Sequence, residues 1–383
     1  MADLHEETQR DKPCPVLFLI RLCQRLGSKL RSHPGSKTLK VDCGTCQTLA
    51  AGACLRCKGN CSGFQTHSWR KACTSCGCSA VDHVTTEEEE DQRMGRLLSD
   101  TPCGHMTQKV KGGGGLRLYK RNRLIVTNPH VSRKDPTFST TAYQWAPSTT
   151  HKLAVQYLEL LPQQCRPICG TQGALERSRQ LQIQLPVYDH DPMKCCSLSS
   201  EDQICSMLLF VKHYKQEVLG VGEVALPGEG GALREAANQR VAKEQEPTNQ
   251  TPAKEPEHIS STSTNGTEEH LCSGCLGSVK NDCPVVFAQR EGYDALWHPS
   301  CFVCSVCGLL LVDLVYFWTN QRLFCGRHYC ESQRPRCQGC DELIFSESYH
   351  TEGARAWHQE HFCCWKCGQS LDQSCPTTHS CQH

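Results

Sequence analysis

The sequence lacks a long apolar run, and it has few aromatic residues. Aromatic residues make up 7% of the 383 residues, and the hydrophobic fraction of 38% includes the cysteines. The apolar stretch at residues 16–20 is short and is followed by Arg21, so it has neither the length nor the flanks of a signal peptide or a membrane span. We therefore expect small modules with their own stabilising devices and not one large core.

The sequence also lacks an excess of charge of either sign. It has 41 basic and 40 acidic residues, which gives a net charge of +1 and no bulk attraction to nucleic acid or to an anionic membrane. A basic recognition helix is missing too, which argues against direct DNA binding. Because HExxH, nucleophile-elbow and P-loop motifs are absent, we expect no enzymatic activity and a function through protein partners.

Cysteine is the residue that the sequence has in excess, with 31 copies. Such a number indicates either a secreted disulfide framework or zinc modules in a reducing compartment. Since no secretory signal is recognised, we favour zinc. The expected location is the cytoplasm and the nucleus.

Eight cysteines and histidines in the C-terminal part follow a regular spacing. The order is CxxC, 22 residues, HxxC, two residues, CxxC, 17 residues and CxxH. Zinc takes four tetrahedral nitrogen and sulfur ligands, and one CxxC knuckle supplies two of them. Taken in order, the ligands fill two sites: Cys272, Cys275, His298 and Cys301, then Cys304, Cys307, Cys325 and His328. Neither site keeps an open position, so both are predicted to be structural.

A second copy of the pattern begins at Cys337, after eight intervening residues that follow His328. Its candidate ligands are Cys337, Cys340, His358, His361, Cys364 and Cys367. The residues available to close its last site have the wrong spacing: Cys375, His379, Cys381 and His383. Either an irregular set closes that site or the copy is C-terminally incomplete, and we favour the second interpretation.

A third group of candidate ligands lies in a cysteine-rich segment, residues 48–84. Its members are Cys54, Cys57, Cys61, His67, Cys73, Cys76, Cys78 and His83. They are enough for two zinc ions, but the spacing leaves open which four share an ion. The acidic run at residues 87–91 is interpreted as a solvated connector, although it could also complement a basic partner.

The middle of the chain has few candidate ligands and more helical pattern. HKLAVQYLELL predicts a helix that ends before Pro162, with Leu153, Ala154, Tyr157, Leu158 and Leu161 on one face. A longer helix is predicted from a capping box of Ser200 and Gln203 to a stop at Gly220. Residues 1–47 and 225–268 show no apolar period and are predicted to be a disordered leader and a disordered linker.

Together these features resemble the PET–LIM family, to which testin and prickle belong. The eight-ligand pattern resembles a LIM domain. The stretches LYKRNRLIVTNP, YQWAP, QLPVYDHDPMKC and FVKHYKQEVLGVGEVALP resemble a PET domain, and CKGNCSGFQTHSWRKAC resembles the family's cysteine-rich segment. The resemblance implies a multidomain chain. After the cysteine-rich segment come a mostly α-helical PET domain (108–222), LIM1 (270–332) and an incomplete LIM2 (335–383), the LIM modules having short β-hairpins and a short helix.

The resemblance also implies a function, that of a protein-interaction adaptor. Two LIM copies rather than three favour a family branch described as transcriptional corepressors, which bind a GATA-type zinc-finger factor and block its DNA binding. The alternative is a testin-like adaptor at actin-rich adhesions. A RING-type ubiquitin ligase is the one enzyme considered, and the ligand order argues against it. The implied cofactor is Zn²⁺: two ions in LIM1, one or two in LIM2 and up to two in the cysteine-rich segment.

Overall fold

The computed structural model describes seven ranges of the chain. These are 53–57, 61–85, 87–103, 124–127, 140–245, 270–364 and 369–371. The predicted leader lies outside the described residues, as do parts of the PET domain, of the linker and of LIM2. Among the helices in these ranges, none is both long and apolar enough to cross a membrane.

The acidic run after the cysteine-rich segment starts a helix, α1, at Glu87–Leu98. Met94, Leu97 and Leu98 on this helix are each 1% exposed. Glu90 is buried as well and pairs with Arg177 at 3.2 Å. The run interpreted as a solvated connector is therefore part of a helix, and it is solvated only in part, since Glu89 is exposed whereas Glu90 is buried.

The PET domain begins with an antiparallel strand pair, β1 (Leu124–Thr127) and β2 (Thr140–Tyr143). Three helices follow: α2 (His151–Leu160), α3 (Gln172–Gln184) and α4 (Glu201–Glu217). The helix predicted from HKLAVQYLELL is confirmed, and its Ala154, Tyr157 and Leu158 are buried.

The N-terminus of α4 is capped by Ser200, whose Oγ accepts a hydrogen bond from the amide of Gln203 at 3.2 Å. The reciprocal bond of the predicted capping box goes one residue further back, because Gln203 Oε1 accepts from the amide of Ser199 at 2.9 Å. The predicted stop at Gly220 is wrong. Helix α4 already ends at Glu217, and Gly220 lies in a strand.

Two short strands follow α4, namely β3 (Leu219–Val221) and β4 (Glu223–Ala225), and a helix, α5 (Gly230–Gln245), occupies the first part of the predicted linker. The prediction of disorder is wrong for residues 225–245. The helix has no apolar period to reveal it, but it is rich in Ala, Glu, Gln and Arg, which have high helix propensity. Arg234 fastens α5 to LIM1 by donating from Nε to the carbonyl oxygen of Gly292 at 2.9 Å.

LIM1 consists of short strands and one helix. They are β5 (His270–Leu271), β6 (Ser278–Val279), β7 (Val285–Phe287), β8 (Leu296–Trp297), β9 (Val315–Thr319), β10 (Arg322–Phe324) and α6 (Gly326–Gln333). LIM2 contributes one antiparallel pair, β11 (His350–Glu352) and β12 (Arg355–Trp357). Both modules therefore contain the expected short strands.

The last strands of the PET domain complete two sheets of LIM1. Strand β3 pairs antiparallel with β9 in the order β10-β9-β3, and β4 pairs antiparallel with β7 in the order β4-β7-β8. Side chains of the PET domain and LIM1 also pack on each other. Tyr214 of α4 packs on Phe317 of β9 with ring centroids 5.3 Å apart. PET domain and LIM1 therefore share one core.

The close approach of β3 and β9 requires a glycine, and this gives a first prediction. Gly220 lies opposite Tyr316, and an added Cβ would overlap the tyrosine ring. That ring is fully buried, and its hydroxyl accepts a hydrogen bond from the amide of Arg290 at 3.0 Å, so it has no room to retreat. We expect Gly220→Ala to lower the free energy of unfolding by about 1–3 kcal/mol, as overpacked cores do.

The measurement is urea denaturation followed by circular dichroism. Gly228→Ala is the matched control, because an added Cβ there meets no atom within 4 Å. Equal midpoints for the two variants would contradict a tight β3–β9 contact.

Candidate metal centres

The eight predicted ligands of LIM1 are brought together in two separate groups of four. In each group all ligand atoms lie within 4.8 Å of one another. Nδ1 of His298 lies 3.4 Å from Cys275 Sγ and 3.9 Å from Cys301 Sγ. In the second group, Nδ1 of His328 lies 3.5 Å from Cys304 Sγ and 3.2 Å from Cys325 Sγ.

Local backbone structure places these ligands. Cys325 is the residue before α6, so one helical turn brings His328 beside it. On the other site, the amides of Gly274 and His298 donate to Cys272 Sγ at 3.4 and 3.3 Å. Burial alone would raise the pKa of Cys272, but these amides help to lower it to about 7. A hydrogen bond from Cys325 lowers the pKa of Cys304 to about 4. Each site therefore holds a thiol that ionises readily, as a metal ligand must.

LIM2 forms a third group from Cys337, Cys340, His358 and His361, all of them buried. Nδ1 of His361 lies 3.6 Å from Cys337 Sγ, and Nδ1 of His358 lies 3.5 Å from Cys340 Sγ. The two Nδ1 atoms are 3.3 Å apart. At that distance both Nδ1 atoms can bind one metal ion.

The donor sets and distances fit Zn²⁺. A tetrahedral zinc ion with Zn–S bonds of about 2.3 Å and Zn–N bonds of about 2.0 Å places its donors about 3.3–3.8 Å apart. The separations in the three groups cluster around this range. Four protein donors fill each tetrahedron, so such an ion would hold the knuckles together and leave no position for a substrate.

The LIM2 group lies where the cysteine-rich segment, the PET domain and LIM2 meet. The ring of Trp69 stacks on His361 with centroids 4.4 Å apart and planes 14° apart. Cys196 forms a hydrogen bond with Cys340, which lowers the pKa of Cys196. No spacing rule indicated Trp69 or Cys196, because both come to this group from distant parts of the chain.

A buried carboxylate fixes this junction. Glu342 is fully buried and accepts a hydrogen bond from Lys71 Nζ. It accepts three more, from the amide of Cys196 at 2.9 Å, from the amide of Ser197 at 3.1 Å and from Ser197 Oγ at 2.6 Å. Burial alone would raise the pKa of Glu342, but the hydrogen bonds and the charge of Lys71 hold it below its ordinary value. The carboxylate is therefore charged at neutral pH and ties three parts of the chain together.

We expect Trp69→Ala to weaken zinc binding at the LIM2 group. The substitution removes the ring that covers His361 and admits water to the ligands. Stacked aromatic pairs contribute about 0.5–1.5 kcal/mol, which corresponds to an affinity loss of up to about tenfold.

The measurement is competition for zinc with a chromogenic chelator, in which one equivalent of zinc should be released from Trp69→Ala earlier than from the unaltered chain. Tyr349→Ala removes an exposed ring of the same module and should release zinc as the unaltered chain does. Identical release by all three chains would contradict a role for Trp69.

Two of the ligand groups found in the described residues lie in the cysteine-rich segment and overlap: Cys54, Cys57, Cys61 and Cys76, then Cys61, Cys73, Cys76 and His83. His67 is not a member of these two groups. Its Nδ1 accepts hydrogen bonds from the amides of Trp69 and Arg70 at 3.3 and 3.2 Å. The thiol of Cys78 donates to the carbonyl oxygen of Cys76 at 3.7 Å. In the outer half of LIM2, Cys364 is buried, while Cys367, Cys375, His379, Cys381 and His383 lie outside the described residues.

Comparison with protein families gives two matches. A model described as PET Domain matches residues 124–225, and a model described as LIM domain matches residues 272–333. Both describe domains of adaptor proteins, and neither is a catalytic domain.

Comparison with curated proteins finds relatives along most of the chain. The LIM and cysteine-rich domains protein 1 of Bos taurus is 48% identical over 346 residues, which cover 90% of this chain and 93% of the relative. The protein of the same name from Homo sapiens is 50% identical over 341 residues, covering 88% and 92%. Testin of Rattus norvegicus is 43% identical over 320 residues, covering 83% and 74%. The resemblance inferred from the sequence motifs is confirmed.

Proposed function

Because the chain belongs to the PET–LIM family that includes LIM and cysteine-rich domains protein 1 and testin, it is a protein-interaction adaptor, and we propose that it acts as a transcriptional corepressor. In this proposal it binds a GATA-type zinc-finger factor and keeps that factor off its DNA. The expected locations are the nucleus and the cytoplasm. Zn²⁺ in the LIM modules supplies rigidity and takes no part in a reaction.

One observation supports protein binding by LIM1 in particular. Apolar side chains at its zinc knuckles face solvent: Leu276 is 76% exposed and Val306 is 60% exposed. Leu276 follows Cys275 directly and has a φ of 59°, so the knuckle itself turns this side chain outward. Rigid modules with exposed apolar tips suit an extended segment of a partner.

The charge of the chain determines how such a repressor would work. With a net charge of +1, it does not compete with DNA by presenting many negative charges. It would block a DNA-binding finger by occupying the finger's surface. The acidic run at 87–91 contributes less than its charge suggests, since Glu90 is already paired with Arg177.

The test is a titration of the zinc-loaded full chain into a GATA-type finger bound to labelled duplex DNA, followed by fluorescence anisotropy. The expected result is release of the DNA, and no binding of DNA by the chain alone. The double variant Leu276→Asp, Val306→Asp should lose this effect. Leu209→Asp is its matched control, because Leu209 is 63% exposed on α4 of the PET domain. If the finger stays on its DNA with the unaltered chain, the corepressor function is refuted.

The alternative is a testin-like adaptor at actin-rich adhesions, and the 43% identity to testin favours it as a second candidate. Under this alternative, the fluorescently tagged full chain would concentrate at adhesions without a nuclear pool. The same Leu276→Asp, Val306→Asp variant should then leave the adhesions while Leu209→Asp remains there.

A further inference from the structure

Two ligand groups in the cysteine-rich segment share two thiols. Cys61 and Cys76 belong to both groups, while Cys54 and Cys57 belong to one, and Cys73 and His83 to the other. Cys57 Sγ lies 3.7 Å from Cys61 Sγ, and Cys54 Sγ lies 4.0 Å from Cys76 Sγ. On the other side, His83 Nε2 lies 3.6 Å from both shared thiols.

A single zinc ion does not account for this arrangement. If one ion took either group, the two remaining donors would be left beside it, together with Cys78, whose thiol forms hydrogen bonds with those of Cys54 and Cys76. Water would not readily complete a site there, because Cys54, Cys73 and His83 are 7%, 2% and 3% exposed. Two ions complete both tetrahedra if each shared thiolate binds both of them, which soft thiolate sulfur is able to do.

Hydrogen bonds from neighbouring groups orient these residues and favour the forms that bind a metal ion. His83 Nδ1 lies 2.9 Å from the carbonyl oxygen of Ser79, which fixes the proton on Nδ1 and leaves the lone pair on Nε2, facing the thiols. Backbone amides donate to the outer thiols, from Cys57 to Cys54 Sγ at 3.3 Å and from Gln65 to Cys73 Sγ at 3.4 Å. Such bonds favour the thiolate form that a metal requires.

We propose that the cysteine-rich segment holds a binuclear zinc cluster in which the thiolates of Cys61 and Cys76 bridge the two ions. Cys54 and Cys57 complete the coordination of one ion, and Cys73 and His83 complete that of the other. The loop between Cys61 and Cys73 carries Trp69 and Lys71, which contact His361 and Glu342 of LIM2. The cluster therefore holds the loop that joins this segment to LIM2.

The test replaces zinc by ¹¹³Cd in the full chain and correlates cysteine Hβ protons with cadmium by NMR. We expect the protons of Cys61 and Cys76 each to couple to two cadmium resonances, and those of Cys54 and Cys73 to one each. The LIM1 ligands serve as an internal reference, since each should couple to one cadmium. Coupling of Cys61 and Cys76 to a single resonance would refute the bridged cluster.

Native mass spectrometry gives a second, independent count. Cys76→Ala should hold two zinc ions fewer than the unaltered chain, while Cys283→Ala, which changes a cysteine outside every group described above, should hold the same number. Loss of one ion or none from Cys76→Ala would contradict the proposal.

Discussion

Removal of zinc from the purified chain is expected to unfold LIM1 and LIM2 and to release strands β3 and β4 from their partners. LIM1 has only short strands, and Cys272, Cys304 and Cys325 at its ligand groups are themselves part of its core. Structural zinc sites contribute about 10–16 kcal/mol at neutral pH, which is as large as the whole stability of a typical domain, about 5–15 kcal/mol. Without the ions, the module loses this contribution, and we expect it to unfold.

Amide hydrogen exchange measures this result residue by residue. After treatment with a strong chelator, residues 219–225 and 285–324 should lose protection together, because β3 and β4 are hydrogen-bonded to strands of LIM1. Helices α2 and α3 of the PET domain should keep most of theirs. The control is the same chelator saturated with zinc beforehand. Persistent protection of residues 285–324 in the metal-free chain would refute a structural role for the ions.

Arg336→Met is expected to cost about 3–5 kcal/mol of folding free energy, because it leaves a buried carboxylate without its partner. Arg336 donates to both oxygens of Asp189 at 3.0 and 2.7 Å, and both side chains are 5% exposed. The pair joins LIM2 to the PET domain. For a folded unit of this size the cost lowers the melting midpoint by about 6–20 °C.

Differential scanning fluorimetry on the zinc-loaded chain measures the midpoint. Arg355→Met is the matched control, since Arg355 is exposed on β12 and its loss should change the midpoint little. The double variant Arg336→Met, Asp189→Leu should recover much of the stability, because it leaves neither charge buried alone. A double variant as unstable as Arg336→Met would show that the arginine acts by packing and not through its charge.

The local features of the fold could be predicted from the sequence. A CxxC knuckle brings its two thiols together within one tight turn, so the spacing around His298 and His328 indicates which residues meet. The face of α2 could be predicted for the same reason, because Ala154, Tyr157 and Leu158 are three and four residues apart on one helix.

The contacts between modules could not be predicted in this way. Strand β3 meets β9, and Trp69 meets His361, across long separations in the chain, and no periodic pattern connects such residues. A glycine is common both at the end of a helix and where two strands approach closely, so the sequence alone did not show that Gly220 makes room for Tyr316. The burial of Glu90 likewise depends on Arg177, whose position beside it follows only from the packing of α3 against α1.

The pairing of β3 and β4 with LIM1 also determines the order in which the chain matures during synthesis. Residues 219–225 leave the ribosome before their partners, and β9 is complete only at Thr319. At about 5–20 residues per second, the newly made strands wait roughly 5–20 s for the LIM1 strands. During this interval their backbone amides and carbonyls are open to other nascent chains and to chaperones. If LIM1 folds only with zinc bound, as expected above, the zinc supply during translation sets how long β3 and β4 remain without their partner strands.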